Sequence, residues 1–491
     1  MAAGDESATL PAAAFFTDRR VTMNAAVPFD PELIRRYDRP GPRYTSYPAA
    51  PHFAASFGAA ELRAYAARSN ALPGPRPLSL YAHVPFCTSP CFYCGCNRVI
   101  TRDLSRGERY TDDLLAEIAL IAPLFGPGRE VVQLHLGGGT PNFLRRESLE
   151  RLIAGVGRAF RLSDAADRDF SIELDPRSLP EPPVQFAATL ARLGFNRASL
   201  GVQDFDRHVQ RAINRLQTVA ETLDLIDACR DQGFRSINID LIYGLPGQTP
   251  TRFHRTLRTV MAARPDRMAV YGYAHLPALF KAQRRIDPAE LPGAQARLDL
   301  LRLAVDELAA DGYRYIGMDH FALPDDELVD AQERGSLQRN FMGYTTHADC
   351  DLIGVGASAI SHIADSYSQN HREVKTWKGS LDEGRLPVWR GLGLTFDDRV
   401  RSAVIGRLMC QATIDTTAIQ QQYGIDFAGY FSEELHRLQP LADDGLVRMA
   451  QGQIAATAAG RLLLRNIAMC FDRYLHAATP AAGATPLSRA V

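Results

Sequence analysis

Between residues 78 and 275 the spacing of apolar positions changes period again and again. Short runs rich in β-branched and aromatic residues, Leu78 to Val84, Val131 to Leu136, Phe170 to Leu174, Ala198 to Val202, Ser236 to Ile242 and Arg267 to Tyr273, read as strands. The stretches between them, among them Tyr110 to Leu124, Ser148 to Phe160 and Thr218 to Gln232, place Leu, Ile and Ala at helical spacing. Strand and helix in alternation make the βα repeat of a parallel sheet, which right-handed crossovers curl into an open or closed barrel. The expected fold class is α/β, a parallel (βα)6-type partial barrel. Chemistry in such barrels sits on loops after the C-terminal ends of strands, where Cys87 to Cys96, Gly137 to Pro141, Glu173, Gln203, Asp240 and Ala274 all fall.

A helix from about Ala294 to Asp311 and a strand near Tyr313 to Gly317 continue the alternation, which turns irregular through the Gly-rich Leu352 to Ser361. Beyond about residue 391 the pattern predicts helices near Asp398 to Cys410 and Tyr430 to Leu441, a hairpin at Leu446 to Ala456 and a last helix from Thr457 to about Tyr474. Together they predict a mostly helical, winged-helix-like C-terminal domain. Residues 1 to 30 and Ala477 to Val491 have no sustained period and read as disordered tails. These changes divide the chain into a tail and arm (1–71), a core barrel (72–311), a barrel extension (312–390) and the C-terminal domain (391–491).

The 55 basic and 56 acidic residues leave a net charge of -1, which argues against nucleic acid or an anionic membrane surface as partner and for a small ligand. The longest uncharged stretch, Pro77 to Asn97, contains Pro85, Pro90 and four cysteines, so no membrane span is expected. Asp5 and Glu6 precede only a short Ala/Phe run, so no signal peptide is expected and the protein is read as cytoplasmic. Lys281, Lys375 and Lys378 are the only lysines, so guanidinium forks must hold any anionic substrate.

Eight cysteines are too few for a disulfide scaffold, and four of them, Cys87, Cys91, Cys94 and Cys96, share the loop after the first strand with the spacing C-x3-C-x2-C-x-C. Three thiolates this close can hold three irons of a [4Fe-4S] cluster and leave the fourth iron open to a substrate. A structural zinc site is the competing reading; it usually draws ligand pairs from two hairpins, and no second Cys or His pair follows at a suitable distance.

Cys87, Cys91 and Cys94 with Tyr93, on the first loop of a βα repeat, resemble the signature of the radical S-adenosylmethionine (SAM) superfamily. Gly41-Pro-Arg-Tyr-Thr-Ser-Tyr-Pro48, Tyr81-Ala-His-Val-Pro-Phe-Cys87, Cys94-Gly-Cys96, Gly137-Gly-Gly-Thr-Pro141, Gly201-Val-Gln-Asp-Phe205 and Gly317-Met-Asp-His-Phe321 sharpen the likeness. From about residue 30 to 475 the chain resembles the oxygen-independent coproporphyrinogen III oxidase family. The resemblance implies a radical SAM barrel, with Cys87, Cys91 and Cys94 ligating the cluster and Cys96 unassigned. It implies a first SAM at Tyr81, Gly138, Glu173 and Ile360, and a second at Tyr93, Gly139, Thr140, Gln203, Arg215, Asp240 and Ala274. The implied reaction, in haem biosynthesis, converts two propionates of coproporphyrinogen III to vinyl groups, giving protoporphyrinogen IX. The resemblance further implies a low-potential electron donor such as flavodoxin or ferredoxin and a monomeric unit.

Two positions depart from the family pattern, the order Phe92-Tyr93 and Met342, where Gln commonly precedes Gly343. Arg43, beside Tyr44 and Tyr47 in the arm, is the candidate clamp for a substrate carboxylate. His83 and His275, in two Tyr-Ala-His segments, read as structural. The competing members are a haem-binding chaperone of the same superfamily, which lacks the Gly41 to Pro48 arm, and a zinc-stabilised binding protein.

Overall fold

The computed structural model describes residues 28–476 except residues 75 and 348. The tails expected at 1–30 and 477–491, and the short run near the N-terminus, lie outside the described residues but for 28–30, where Asp30 caps the helix Pro31–Tyr37. Twelve strands form one continuous path: β1 (Leu78–Val84), β2 (Glu130–Gly138), β3 (Asp169–Leu174), β4 (Arg197–Gln203), β5 (Ser236–Tyr243), β6 (Arg267–Gly272), β7 (Arg314–Gly317), β8 (His320–Ala322), β9 (Asp351–Val355), β10 (Ile360–Ile363), β11 (Ser366–Asn370) and β12 (Val388–Gly393). Their order is β7-β8-β6-β5-β4-β3-β2-β1-β9-β10-β11-β12. The run from β6 to β9 is parallel throughout, and the outer strands on both sides are antiparallel. The two end strands do not pair, so this is a partial barrel, the open one of the two forms that the α/β pattern allows.

Alternation along the strands sets the two faces. One face carries Leu78, Leu80, Ala82 and Val84 of β1, Leu134 and Leu136 of β2, and their neighbours down to Met268 and Val270 of β6, all in the main apolar core. Helices Ser105–Ile121, Arg146–Ala159, Pro183–Arg192, Val219–Asp231, Pro250–Ala262 and Ala294–Ala310 follow the strands, and those whose buried residues join this core cover that face. The opposite face is polar: Tyr81 is in register with His135, His135 with Ser171, Glu173 with Ser199 and Ser199 with Asn238. Its lower end is closed by ion pairs, Arg197 with Asp169 (3.4 Å) and Glu327 (2.5 Å), and Arg267 with Asp326 (2.8 Å).

Two expectations need correction. The stretch Leu352 to Ser361, expected to be irregular, begins in a regular strand: β9 lies parallel to β1 and is buried along its whole length. Its glycine is required: a Cβ on Gly354 would stand 2.5 Å from the Ile360 carbonyl oxygen. The last helix is not continuous but breaks into a 3-10 turn (Ala459–Leu463) and helices Leu464–Met469 and Arg473–His476. There Gly460 lies against the Leu446 carbonyl, and Arg465 donates to the backbone carbonyls of Gly41 and Pro42. Helices Ala59–Asn70 and Thr416–Tyr423 and strand Thr413–Asp415 went unpredicted. Strand Thr413–Asp415 completes a three-stranded sheet with the hairpin Val447–Ala450/Gln453–Ala456, the wing of the C-terminal helical unit.

A second apolar core joins Tyr44 and Tyr47 of the arm, Ile316, Leu328 and Tyr344 of the extension, and the C-terminal helices. Against the first core the buried Glu117 carboxylate accepts from Gly356 N (2.7 Å), Asn370 Nδ2 (2.6 Å) and Trp377 Nε1 (2.9 Å). It thereby fixes the turn between β9 and β10. Burial raises its pKa to about 7, against 4.5 for an ordinary Glu. The folded chain holds this proton more tightly than the unfolded chain, so its contribution to stability is complete below pH 4.5 and is lost as pH rises through about 7. Denaturation of the wild type and Glu117→Gln should show the wild type losing stability relative to the variant between pH 4.5 and about 7, then no further change. A difference flat across that window would show that the carboxyl titrates normally. Glu117→Ala, which strands three buried donors, should cost at least about 3 kcal/mol at any pH.

Candidate functional site

The parallel strands all end at one mouth, and the loops leaving them meet there. The cysteine loop is pinched at its base, where Phe86–Cys87 pairs with Val99–Ile100. Across the loop, Arg98 donates to the carbonyls of Cys94 (2.8 Å) and Cys91 (3.2 Å), and Asn214 donates to Pro90 O (2.7 Å). Each of the three predicted ligands meets a donor: Thr140 Oγ1 lies 3.4 Å from Cys87 Sγ, Arg177 Nη2 3.5 Å and Arg215 Nη1 3.7 Å from Cys91 Sγ, and the Cys96 N–H 3.4 Å from Cys94 Sγ. The hydrogen bond with Cys96, then Arg98 and Arg215, holds the Cys94 thiol below its usual range. By contrast, burial alone pushes the remote Cys229 up to about 12.

The glycine run of β2 lies flat against this loop. A Cβ on Gly139 would stand 2.7 Å from the backbone of Pro85, and one on Gly138, whose φ is +116°, would stand 2.5 Å from the His83 ring. Only glycine permits that approach. Among the described residues no group of three or more His, Cys, Asp and Glu side chains is gathered to hold a metal ion. The donor set of three thiols facing cations and N–H groups suits a [4Fe-4S] cluster, whose ligands spread over the corners of a cube, better than a single zinc ion.

Beside the loop, Glu173 on β3 accepts from Gly138 N (2.9 Å) and stands 3.4 Å from His135 Nε2. Although burial opposes it, His135 and this N–H keep Glu173 ionised below the usual range. Tyr81 stacks on His135 with ring centres 5.8 Å apart, and its register partner Gly354 touches the Ile360 backbone. The four residues expected at a first SAM therefore lie together.

The second expected set forms an adjoining group. Arg215 pairs with Asp175 (3.3 Å) and donates to the Gly201 carbonyl, while its buried Nε has no partner. Against burial, Arg215 and Arg177 bring Asp175 down to about 2. Gln203 closes β4 with φ +67°. Burial pushes Asp240 up to about 7, although Asn238 donates to it at 2.8 Å. Gln283 ties the set together, donating to Tyr93 O (2.9 Å) and Ala274 O (3.2 Å). Met342 sits in the tip of a short hairpin, where its N–H donates to Asn340 Oδ1 at 2.8 Å.

Arg43 reaches the mouth too. Its guanidinium pairs with Asp319 and lies 5.3 Å from the Tyr271 ring centre, so this arginine meets a carboxylate of its own chain. His83 and His275 each face the tyrosine two residues before them, at 3.0 and 2.9 Å. Sequence reasoning missed His135, Asp175, Arg177, Arg98, Gln283 and Asp319. Asp175-Pro176-Arg177 directly after a predicted strand was a usable signal, and so was His135 at an alternate position of β2; nothing local marks Gln283.

The family model described as "Radical SAM superfamily" matches residues 81–260, and that described as "HemN C-terminal domain" matches 394–463. The chain is 50% identical over 453 residues to the oxygen-independent coproporphyrinogen III oxidase of Pseudomonas aeruginosa, covering 92% of this chain and 97% of that protein. It is 48% identical over 449 residues to the Escherichia coli protein of the same name, covering 91% and 96%. The solved structure of the coproporphyrinogen III oxidase from Escherichia coli, a radical SAM enzyme, superposes with a TM-score of 0.87 at 47% identity, over 92% of this chain and all of that one.

Serine at Cys87, Cys91 or Cys94 should abolish the iron-sulfur absorbance of anaerobically reconstituted protein, since each thiol is one of three expected ligands. Cys96→Ser should retain it. A normal spectrum in Cys91→Ser would remove that residue from the ligand set.

Proposed function

The chain belongs to the oxygen-independent coproporphyrinogen III oxidases of the radical SAM superfamily, and from that premise we propose that it converts two propionates of coproporphyrinogen III to vinyl groups, yielding protoporphyrinogen IX. Each propionate loses one hydrogen atom from its β-carbon, CO2, and one electron that passes to an external one-electron acceptor. When bound, the cluster and SAM supply reductive cleavage of a sulfonium and removal of that hydrogen atom. The observation that carries the reading is the convergence of three donor-facing thiols with two polar groups on one barrel mouth.

On this reading Cys87, Cys91 and Cys94 hold the cluster. Tyr81, Gly138, Glu173 and Ile360 hold one SAM, whose ribose hydroxyls or ammonium suit the ionised Glu173. Tyr93, Gly139, Thr140, Gln203, Arg215, Asp240 and Ala274 hold a second, with the unpartnered Arg215 Nε available to a carboxylate. The glycine run admits a ligand close to the backbone. The arm, with Tyr44 and Tyr47 buried, covers the mouth and excludes water from the reacting carbon. Arg43 reaches substrate by sharing its guanidinium between Asp319 and a propionate.

The electrons come from a low-potential protein such as flavodoxin or ferredoxin, and the working unit is a monomer, both on the family's pattern. Eight free cysteines suit a reducing compartment, the cytoplasm. Among the described residues no helix is long and apolar enough to cross a membrane.

Reconstituted protein incubated anaerobically with SAM, reductant and coproporphyrinogen III should yield protoporphyrinogen IX, two CO2 and two 5'-deoxyadenosine per macrocycle. Equilibrium dialysis should count two SAM per chain. Stable haem binding without vinyl formation would overturn the assignment, and a SAM count of one at saturation would remove the second site. Arg43→Ala should lower kcat/KM by a factor equivalent to about 1.5 to 3 kcal/mol of lost transition-state stabilisation, the worth of a charge-assisted bond to substrate.

A further inference from the structure

Two guanidinium nitrogens of Arg339, Nε and Nη1, are buried without a hydrogen-bond partner, and no carboxylate of the described residues pairs with this side chain. Arginine is costly to bury in that state, because each desolvated N–H of a cation forfeits water without recovering an acceptor. Its position is nonetheless fixed. Arg339 belongs to the hairpin Gln338–Asn340/Gly343–Thr345, which reaches the polar face of the barrel through Gln133 Nε2 donating to Thr345 Oγ1 (3.1 Å). The guanidinium lies 4.7 Å from the centre of the Tyr344 ring, and that ring is anchored by its hydroxyl donating to Met409 O (2.9 Å).

The hairpin and the arm enclose a cavity of about 120 Å³ lined by Arg339, Tyr44, Tyr47, Phe341, Tyr367 and His362 among others. Arg339 is the one charged side chain that lines it: no Asp or Glu does, and burial lowers the His362 pKa to about 4, which leaves that ring neutral. Aromatic walls with a cationic end and no resident counter-ion suit an aliphatic carboxylate, and the volume suits a carboxyethyl arm rather than a tetrapyrrole. The Tyr344 ring beneath Arg339 in turn meets the His320 ring edge to face, with centres 5.1 Å apart. The edge-to-face pair of Tyr271 and His320, with ring centres 5.9 Å apart, feels the charge of both Arg339 and Arg43. Arg43 is paired with Asp319; Arg339 has no such partner.

Resting on the proposed function, we infer that Arg339 binds a substrate propionate in this cavity, and that the propionate it holds is one of the pair that the reaction leaves intact. A guanidinium fork stabilises a carboxylate as the anion and so opposes its departure as CO2. A grip of this kind therefore belongs on a carboxylate that must stay. Arg339 would then choose which side chains of the macrocycle are presented for reaction.

The test uses reconstituted full-length protein with SAM under anaerobic conditions, and coproporphyrin III, the oxidised macrocycle, as a fluorescent binding probe beside its tetramethyl ester. The wild type should bind the free acid about ten- to hundredfold more tightly than Arg339→Met, with Arg339→Lys between them, while all three bind the ester alike. Turnover of Arg339→Met should show a raised KM for coproporphyrinogen III, and iron-sulfur absorbance should match that of the wild type. Equal affinity of wild type and Arg339→Met for the free acid would overturn the inference and leave the proposed function standing. An equal loss for acid and ester would also overturn it, by showing that the side chain only props up Tyr344. If Arg339→Met does not fold, unchanged affinity in Arg339→Lys overturns it. Failure of the wild type to bind or oxidise the macrocycle would instead strike the proposed function.

Discussion

A parallel sheet is usually apolar on both faces; here one face is polar from end to end, and the remaining architecture answers the cost of burying it. Each polar side chain on that face needs a partner from a neighbouring strand. The ladder from Ser79 through Gln133 to Asp169 shows how register supplies one, with contacts of 2.8 and 3.2 Å. At the lower end the ion pairs of Arg197 and Arg267 with Asp169, Asp326 and Glu327 close the barrel with charge. Ligands are thereby confined to the other end. The apolar face carries the packing energy, which leaves the polar face free for chemistry.

The same economy governs the cysteine loop. A thiolate in a buried site needs positive charge or donors, and the loop obtains them from other strands: Arg177 follows β3, Arg215 follows β4 and Thr140 follows β2. Asp175 then balances the two arginines, at 2.6 and 3.3 Å. The charge around the cysteine loop is thus set by residues up to 124 positions away in the chain, and only the curl of the sheet brings them together.

That distance explains how much the sequence reveals. The six parallel core strands were legible to within a residue or two because a strand with one apolar face writes a period of two. The cysteine spacing and the glycine run were legible because each is local. β9 was hidden: fully buried, short and bearing Gly354, it has no alternation to read. The broken last helix was hidden as well, since its apolar period runs on while Gly460 and Arg465 answer to distant carbonyls. Of the site, the residues on motifs could be named in advance. His135, Gln283 and Arg339 acquire meaning only from partners remote in sequence, or, for Arg339, from the lack of one.

The arm is fastened to the far end of the described chain. Tyr44 donates to Asp472 (2.9 Å), Arg473 N–H donates to the Tyr47 hydroxyl (3.2 Å), and Arg465 holds the carbonyls of Gly41 and Pro42. Tyr44 leaves the ribosome 428 residues ahead of Asp472, so through almost the whole of synthesis the arm lacks the surface on which it docks, and its ordering waits for the C-terminal unit.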